Sequence, residues 1–192
     1  MSNPIAIKFF APVNEVSANA LMGILDQAIN QGVKNVSILI STPGGSVFHG
    51  LSIYNYLRGL PLEKLTTHNF GSVDSIGVVM YCAGRERYSS PQARFLLHGV
   101  SMGFQGNQNL EEPQLEEKLK GLKIDIENIA KVIAENTGKT DIQVTQAMLA
   151  RTTLNPEQAK EWGLVHNIKT ELFEPGTQVI SIVSQPQQNP QI

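Results

Sequence analysis

The sequence predicts a single α/β domain built on a mostly parallel sheet. Its 192 residues fit one domain that buries a substantial core. The composition, 41% hydrophobic and 17% charged, is that of a globular protein. Apolar runs of buried-strand type alternate with amphipathic helical stretches, and repeated strand–helix units imply parallel strands with helices packed on them.

The first half of the chain carries this alternation. The predicted order is strand 5–10, helix 21–29, strand 36–40, helix 51–57, strand 65–70, helix 75–83 and strand 93–97. The first helix follows from apolar residues at spacings of three and four before Gly32, and strand 36–40 follows from its β-branched run. The polar segment 84–91 is predicted as a hairpin-like connection.

The second half changes character. One long helix is predicted from Pro113 to about Glu135, because its apolar residues form a heptad-like seam between positions 115 and 133. Such a seam packs on the sheet or meets another subunit, and periodicity alone does not choose. A short helix is predicted after Asn155, the N-cap, ending at Gly163. The tail, residues 185–192, has little apolar surface, and we expect it to be mobile.

Composition also excludes several classes of function. A net charge of −2 gives no basic field for a nucleic acid. The longest apolar run, residues 76–83, is too short to cross a membrane, and no export signal opens the chain, so we expect a cytoplasmic protein. The single Cys82 cannot form an intramolecular disulfide and is expected to be a buried structural thiol. No Cys/His spacing suggests a metal site.

Ser75 is the first candidate for chemistry. It lies between a predicted strand and an apolar helix, in a segment with glycine on both sides, at Gly71 and Gly77. Free amides and the positive end of the helix dipole favour an alkoxide there, and a sharp turn exposes the hydroxyl. Most serines before helices only cap them, so this signal is weak by itself.

His98 is the second candidate. It directly follows the predicted strand 93–97, at the carboxyl end, where open α/β sheets bind ligands. Histidine can take the proton of a serine and return it to a leaving amine. His49, His68 and His166 are weaker candidates, since His68 lies in a strand that should be buried and the other two have no nucleophile signature.

A pair of glycines is the third feature. Gly44 and Gly45 follow a buried strand and open a helix at Ser46. Adjacent glycines let backbone N–H groups turn inward to form an oxyanion hole or hold a phosphate, although a tight turn is the simpler explanation. Neither a dinucleotide nor a Walker motif is present.

Taken together, the motifs resemble those of the Clp protease proteolytic subunit family (ClpP). The matching segments, in shared order and spacing between about residues 5 and 170, are Ser41–Val47, Ile53-Tyr54, Gly71-x-x-x-Ser75-Ile76-Gly77, Ala93–His98, Gly103–Gly106, Thr137-Gly138 and Glu161–Val165. The resemblance implies the ClpP/crotonase fold, a twisted sheet with surrounding helices and a projecting handle helix. It also implies a serine peptidase that assembles as stacked heptameric rings around a degradation chamber and uses no cofactor.

The resemblance assigns roles by position. Ser75 would be the nucleophile and His98 the general base, and the amides of Gly45 and Ile76 would form the oxyanion hole. The residues Gly103, Phe104, Gln105 and Gly106 would belong to a strand, running to about Gln108, against which a peptide substrate is laid. The peptidase domain would span residues 1–184, with the handle at about 99–136. Its helix 115–133 would make contacts between rings, which favours the subunit contact for the seam.

The chain departs from the family at the third triad member. The position of the family's aspartate is occupied by Arg151, and an arginine cannot accept a hydrogen bond from imidazole. Loss of the orienting carboxylate lowers turnover by about 10⁴ in other triads. Thr152, Thr153 or Asn155 is a hypothetical substitute.

Two further departures concern Asp74 and the amino end. Asp74 stands where the family has a small apolar residue, and we expect it to cap the helix. Only about four residues precede the first predicted strand, whereas family members have an axial loop there that helps engage a Clp ATPase. Docking to a Clp ATPase is therefore an open question, and a second ClpP-like subunit is a further candidate partner.

The sequence thus favours a ClpP-like serine endopeptidase subunit that cleaves peptides or unfolded proteins. Arg151 supports an alternative, a catalytically weak or silent subunit with a structural role in the ring. Other members of the wider fold, a serine/lysine signal-peptide peptidase or a crotonase-type acyl-CoA enzyme, fit less well. The first would have a membrane anchor, and the pairing of Ser75 with His98 suits hydrolysis better than enolate stabilisation.

Overall fold

The computed structural model describes residues 4–103, 106 and 109–184. Within these ranges the strands are β1 (Ile5–Phe10), β2 (Asn35–Thr42), β3 (Lys64–Asp74), β4 (Glu86–Ser89), β5 (Arg94–Leu96), β6 (Thr153–Leu154), β7 (Asn167–Ile168) and β8 (Gln178–Val183). The helices are α1 (Glu15–Asn30), α2 (Val47–Gly59), α3 (Ile76–Tyr81), α4 (Glu112–Thr137), α5 (Asp141–Leu149) and α6 (Pro156–Glu161). This alternation confirms the predicted α/β class.

The eight described strands form one sheet, in which six follow the order β6-β5-β3-β2-β1-β8 while β4 pairs with β3 and β7 pairs with β4. Every pairing is parallel except that of β5 with β6, so the prediction of a mostly parallel sheet is confirmed. The long strand β3 pairs first with β4 and then, nearer its carboxyl end, with β5. The hairpin-like prediction for residues 84–91 is wrong, because α3 returns the chain across the sheet before β4 begins.

A register shift bends β3 just before its end. Ile40 of β2 faces Asn69, but Thr42 faces Val73, so β3 carries two extra residues. Two side chains accept hydrogen bonds from the backbone of this bulge. The Gly71 amide donates to Asn69 Oδ1 at 3.0 Å, and the Ser72 amide donates to Ser41 Oγ at 3.3 Å. Bulges commonly re-aim a strand beside a functional site, and this one lies directly before the turn after β3.

The core lies between the sheet and its helices. All six residues of α3 are buried, and α2 packs on α3 closely enough that a Cβ at Gly50 would meet the Ile76 side chain at 2.2 Å. At about 25 cal/mol for each Å² of buried apolar surface, this packing is the main stabilising contribution. The helix at the end of β3 is therefore held rigidly.

A buried arginine fastens the later elements to the sheet. Arg87 of β4 is 5% exposed, and its guanidinium donates to the main-chain oxygens of Leu164 at 2.8 Å and Asn136 at 2.5 Å. It also reaches the carbonyls of Gly84 and Gly163, at 3.3 Å each. One side chain thus satisfies carbonyls near the ends of α4 and α6, groups that would otherwise be costly to bury.

The long helix α4 is divided in its packing. It slightly exceeds its predicted bounds, 112–137 against 113–135, and ends at Gly138 in the left-handed conformation. Ile129 and Ile133 are buried against the body, whereas Leu115 and Leu119 are about half exposed, at 49% and 51%. The seam therefore packs on the core in its second half and presents an apolar surface in its first.

Two predictions about the second half meet different outcomes. The short helix after Asn155 is confirmed as α6, where the Asn155 side chain accepts from the Gln158 amide at 2.8 Å. The mobile tail, predicted at 185–192, lies outside the described residues. Among the helices in the described ranges, none is long and apolar enough to cross a membrane.

Candidate active site

Ser75 lies at a strained turn between β3 and α3. Its backbone has φ 58° and ψ −129°, an unusual conformation for a residue other than glycine. Ladder and helix hydrogen bonds hold it there, with the Ser75 amide donating to Leu96 O at 2.8 Å and the Val78 amide donating to Ser75 O at 3.0 Å. The hydroxyl makes no capping bond, and the side chain is half-buried. Such strain costs of order 1–3 kcal/mol and is typical of exposed nucleophiles.

The glycine pair packs directly against this turn. Gly44 has φ 86°, and a Cβ there would lie 2.7 Å from the Ser75 Cβ. Gly45 has φ 149°, and a Cβ there would lie 2.2 Å from the Val13 carbonyl oxygen, so neither position tolerates a side chain. Two backbone hydrogen bonds with Val13 hold this segment in place. The Val13 amide donates to Gly44 O at 2.8 Å, and the Val13 carbonyl oxygen accepts from the Ser46 amide at 2.8 Å.

This packing leaves two amides available beside Ser75. Within the part of the chain that the structure describes, the N–H groups of Gly45 and Ile76 donate to no protein acceptor. The N–H of Ile76 is free because it belongs to the first residue of α3, whose amides precede the helical ladder. Both residues line the pocket that contains Ser75. Two such donors are what an oxyanion hole requires.

His98 reaches the same pocket from β5. It follows the strand that pairs with the end of β3, with Ser72, Val73 and Asp74 facing residues 94–96, so the two chain segments run side by side. The ring is half-buried, and its Nδ1 lies 2.7 Å from the Gly99 carbonyl oxygen. Among the described residues, no hydrogen bond joins His98 to the Ser75 hydroxyl, but both residues line the pocket.

The pocket itself is small and mainly apolar. Its volume is about 80 Å³. Besides Gly45, Ser75, Ile76 and His98, its lining consists of Val47, Leu97, Gly99, Val100, Ser101, Ile129, Ile133 and Met148. The buried second half of α4 thus forms one wall beside the serine. Met148 could not be predicted as a pocket residue from sequence, because it is distant in the chain from Ser75 and His98.

Arg151 lies in the turn just before β6 and is exposed. Strand β6 runs antiparallel to β5 with Leu96 opposite Thr153, and the Leu97 amide donates to Thr152 O at 2.9 Å. If the register were extended beyond these strands, Arg151 would stand opposite His98, although the ladder itself ends at Thr153. Its φ of 52° is again in the left-handed region. In the described residues no carboxylate pairs with Arg151.

The three hypothetical substitutes for the aspartate are placed otherwise. The Thr152 hydroxyl donates to Ala147 O at 2.9 Å, and the Asn155 amide oxygen caps α6. Thr153 faces Leu96 in the ladder, and its side chain is exposed. Among the described residues, none of these three side chains hydrogen-bonds to His98.

Asp74 does not cap α3, so that expectation is wrong. It is the last residue of β3, and its carboxylate accepts from the Ser72 hydroxyl at 2.7 Å and pairs with Arg94 at 2.9 Å. Alternation along β3 places Ser72 and Asp74 on the same face of the sheet, and Arg94, which pairs with Ser72 in the ladder, lies on that face as well. The carboxylate is thus already paired beside Ser75.

The segment assigned to substrate by resemblance is only partly described. Gly103 and Gly106 are exposed and belong to no strand in the described residues, and Gly106 has φ 70°. Phe104 and Gln105 lie outside the described residues, as do 107 and 108. A role of this segment in holding substrate stays a prediction.

The remaining histidines and the cysteine have structural surroundings. His68 is buried as expected, and His166 Nδ1 accepts from the Arg87 amide at 3.2 Å. His49 Nδ1 lies 2.9 Å from Ser46 Oγ, at the start of α2. Burial raises the pKa of Cys82 to about 12, so its thiol stays protonated, which fits the predicted structural role.

A serine on a strained strand-to-helix turn, a histidine in the same pocket and two free amides form the arrangement typical of α/β proteins that catalyse acyl transfer. Comparison with known proteins narrows this class. Residues 2–171 match the family model described as Clp protease. The chain belongs to the Clp protease family, which is a family of serine peptidases, and the resemblance in its motifs is confirmed.

Three curated relatives illustrate the similarity. The "ATP-dependent Clp protease proteolytic subunit 2" of Corynebacterium efficiens is 33% identical over 161 residues, covering 82% of this chain and 78% of that protein. Subunit 1 of Corynebacterium jeikeium is 31% identical over 165 residues, 84% of this chain and 85% of that protein. Subunit 1 of Streptomyces avermitilis is 29% identical over 163 residues, 83% of this chain and 73% of that protein.

Proposed function

We propose that this chain is a ClpP-like serine endopeptidase subunit that cleaves peptides or unfolded proteins in the cytoplasm, inside an oligomeric chamber. The observation that carries the proposal is the meeting of Ser75, His98 and the free amides of Gly45 and Ile76 in one pocket. The strain at Ser75 adds support, because a costly backbone conformation persists where the hydroxyl is needed.

Acylation begins with attack of Ser75 Oγ on a peptide carbonyl carbon. His98 Nε2 takes the hydroxyl proton as the new C–O bond forms, and the carbonyl electron pair moves onto oxygen. The N–H groups of Gly45 and Ile76 hold this oxyanion. The intermediate then collapses, the C–N bond breaks, and His98 gives its proton to the departing amine. Water then attacks the acyl carbon while His98 takes its proton, and the bond from that carbon to Ser75 Oγ breaks as His98 returns the proton to the serine oxygen.

Two features of the geometry bear on the rate. Each oxyanion-hole donor is worth about 10²–10³ in turnover, and here both donors belong to rigidly packed backbone. Nε2 of His98 must come within hydrogen-bond distance of Ser75 Oγ, a step that substrate binding would promote, because hydrogen bonds between catalytic groups often tighten only in the complex.

Substrate recognition would combine strand addition with an apolar subsite. By resemblance, the peptide would be laid against the segment that contains Gly103, Phe104, Gln105 and Gly106. Ile129, Ile133 and Met148 line the pocket beside Ser75 and would contact an apolar side chain of the peptide. The main-chain bonds would give affinity without strong sequence preference, as a degradative enzyme needs.

Assembly would use the exposed first half of α4. Leu115 and Leu119 leave apolar surface uncovered in a single chain, which favours a contact with another subunit in stacked heptameric rings. The relatives are named as proteolytic subunits 1 and 2 of ATP-dependent Clp proteases. We therefore include a Clp ATPase and a second ClpP-like subunit as candidate partners.

The test is covalent labelling of the purified protein with a fluorophosphonate, read by mass spectrometry. We expect one adduct per chain, located at Ser75, and we expect Ser75→Ala to remain unlabelled. His98→Gln should label at least about 10²-fold more slowly because general base catalysis contributes about that factor. Labelling elsewhere, or equal labelling of Ser75→Ala, would contradict the proposal.

A second candidate function is a structural subunit without activity of its own. Arg151 favours it, because an arginine occupies the position at which the family has its triad aspartate. Under this alternative Ser75 remains unlabelled at every protein concentration and in mixtures with an active relative. The fluorophosphonate experiment therefore separates the two candidates.

A further inference from the structure

We propose that the main-chain carbonyl of Gly99 orients His98 in place of the missing carboxylate. The inference rests on the proposed function, in which His98 is the general base for Ser75. In it, Gly99 is a positioning residue that acts through its backbone and touches no substrate. The observation behind it is the distance of 2.7 Å between His98 Nδ1 and Gly99 O.

This contact fixes which ring nitrogen carries the proton. A carbonyl oxygen can only accept, so a hydrogen bond at this distance requires Nδ1–H. In a neutral imidazole the proton on Nδ1 leaves the lone pair on Nε2. Nε2 is the atom that must take the proton from Ser75 Oγ. The Gly99 carbonyl thus selects the tautomer that a triad aspartate would select.

Other acceptors near the ring are engaged or unsuitable. Arg151 lies opposite His98 in the extended register but has only donors. The Thr152 hydroxyl donates to Ala147 O, and Asn155 caps α6. Of the described residues, Gly99 supplies the one hydrogen bond to the His98 ring. Its carbonyl follows His98 directly in the chain, so the geometry is local and needs no distant partner.

The size of the effect follows from what a carboxylate does in a triad. Replacing aspartate by asparagine drops turnover about 10⁴-fold because the histidine takes the wrong tautomer. A carbonyl avoids that loss. It stabilises the developing imidazolium less, since hydrogen bonds with an ionised partner are roughly twice as strong. We therefore expect a working enzyme that is slower than one with a complete triad.

The tautomer can be measured directly by ¹⁵N NMR of protein labelled at histidine. Spectra are recorded at alkaline pH, where imidazole is neutral, and the signals of His98 are those missing from His98→Gln. We expect Nδ1 to show the shift of a protonated nitrogen and Nε2 that of an unprotonated one. The reverse pattern would overturn the proposal.

A backbone substitution tests the catalytic consequence. Replacing Val100 by its α-hydroxy acid turns the Gly99–Val100 amide into an ester, whose carbonyl is a weaker acceptor. The Val100 N–H that is lost makes no hydrogen bond among the described residues, so little else changes. We expect kcat to fall about 3- to 10-fold with KM unchanged, the range of one weakened hydrogen bond.

The matched control is the α-hydroxy acid at Glu171, which weakens the Thr170 carbonyl on an exposed stretch outside the pocket, where neither that carbonyl nor the lost N–H makes a backbone hydrogen bond among the described residues. This ester should keep the kcat of the unmodified protein, and an equal effect of both esters would contradict a role for Gly99. If Ser75 labels but His98 carries its proton on Nε2, this inference fails while the proposed function stands. If the fluorophosphonate does not label Ser75, the proposed function fails, and this inference fails with the function on which it rests.

Discussion

Strand β3 passes through two regions that differ in how their polar groups are satisfied. In the packed region, formed by residues 64–69 and β4, the Thr67 hydroxyl donates to Tyr81 O at 2.7 Å and Arg87 donates to four carbonyls. At the catalytic edge, formed by the turn at Ser75 and the loop at His98, the backbone is strained and amides are free. One strand therefore connects a stabilising region to a reactive one.

Stability and chemistry therefore depend on different regions of the fold. Unpaired donors and a left-handed serine lower stability, and they are tolerated because the neighbouring packing is strong enough to hold them. Substitutions at the catalytic edge should change activity while leaving stability unchanged or higher. Substitutions in the packed region should lower stability while leaving activity unchanged.

The largest effect is expected at Ser75. Ser75→Gly should lower peptidase activity at least about 10³-fold, because the nucleophile is lost. The same change should raise the free energy of unfolding by about 1 kcal/mol, because glycine accepts a φ of 58° without strain. Urea unfolding and peptide hydrolysis measure the two effects. Ser75→Ala is the control, which should lose activity without gaining stability.

The second effect belongs to the packed region. Arg87→Met keeps the length of the side chain but leaves four carbonyls without their donor, and it should lower the free energy of unfolding by about 3 kcal/mol or more. Arg85→Met is the matched control, since Arg85 is exposed and, among the described residues, its guanidinium donates to the carbonyls of Leu62 and Glu63. Its cost should stay below about 1 kcal/mol. Equal losses of stability in the two variants would show that the hydrogen bonds of Arg87 stabilise the fold no more than those of Arg85.

The third prediction returns a carboxylate to the catalytic edge. Arg151→Asp places an ionised acceptor opposite His98 and should raise kcat about 10-fold, because it stabilises the imidazolium better than a carbonyl. Arg151→Asn has the same backbone preference at φ 52° without the charge. It should leave kcat near that of the unaltered protein. A gain as large in the asparagine variant would mean that backbone relief, not charge, is responsible.

The smallest effect concerns pH and the packed region. Burial and the charge of Lys169 lower the pKa of His68 to about 4, so the folded protein keeps this ring neutral. Between pH 6.5 and 4 the unfolded chain binds the extra proton, and stability is lost as the pH falls. The contribution of His68 should fall by about 0.7 kcal/mol between pH 7 and pH 6.

His68→Gln is the variant that isolates this contribution. The pKa of His166 is also lowered by burial, so both proteins lose stability toward acid, but the variant should lose less. The measurement is urea unfolding at both pH values. Parallel losses in the two proteins would show that His68 titrates in the fold as it does in the unfolded chain.

Much of the catalytic edge could be predicted from sequence because its signals are local. The glycine pair, the serine between strand and helix, and the histidine after a strand each occupy a few consecutive residues. Parallel strands then bring their carboxyl ends together, so order along the chain predicts proximity in space. The N-cap at Asn155 likewise fixed α6.

What could not be predicted depends on partners that are distant in the chain or belong to the backbone. The carboxylate of Asp74 pairs with Arg94 because β5 lies beside β3, and the path of β4 depends on where α3 returns the chain. Arg87 bonds carbonyls up to 77 positions away. The Gly99 carbonyl that contacts His98 has no sequence signature, since every residue has a carbonyl.

The central claim is that Ser75 and His98 form a working pair without an aspartate. Rapid mixing with an excess of a p-nitrophenyl ester tests it most directly, because nitrophenol leaves as the acyl-enzyme forms, before water hydrolyses the acyl-enzyme. We predict a burst of about one equivalent per chain in the unaltered protein, which disappears in Ser75→Ala and slows strongly in His98→Gln. No burst at any protein concentration, or an undiminished burst in Ser75→Ala, would contradict the account.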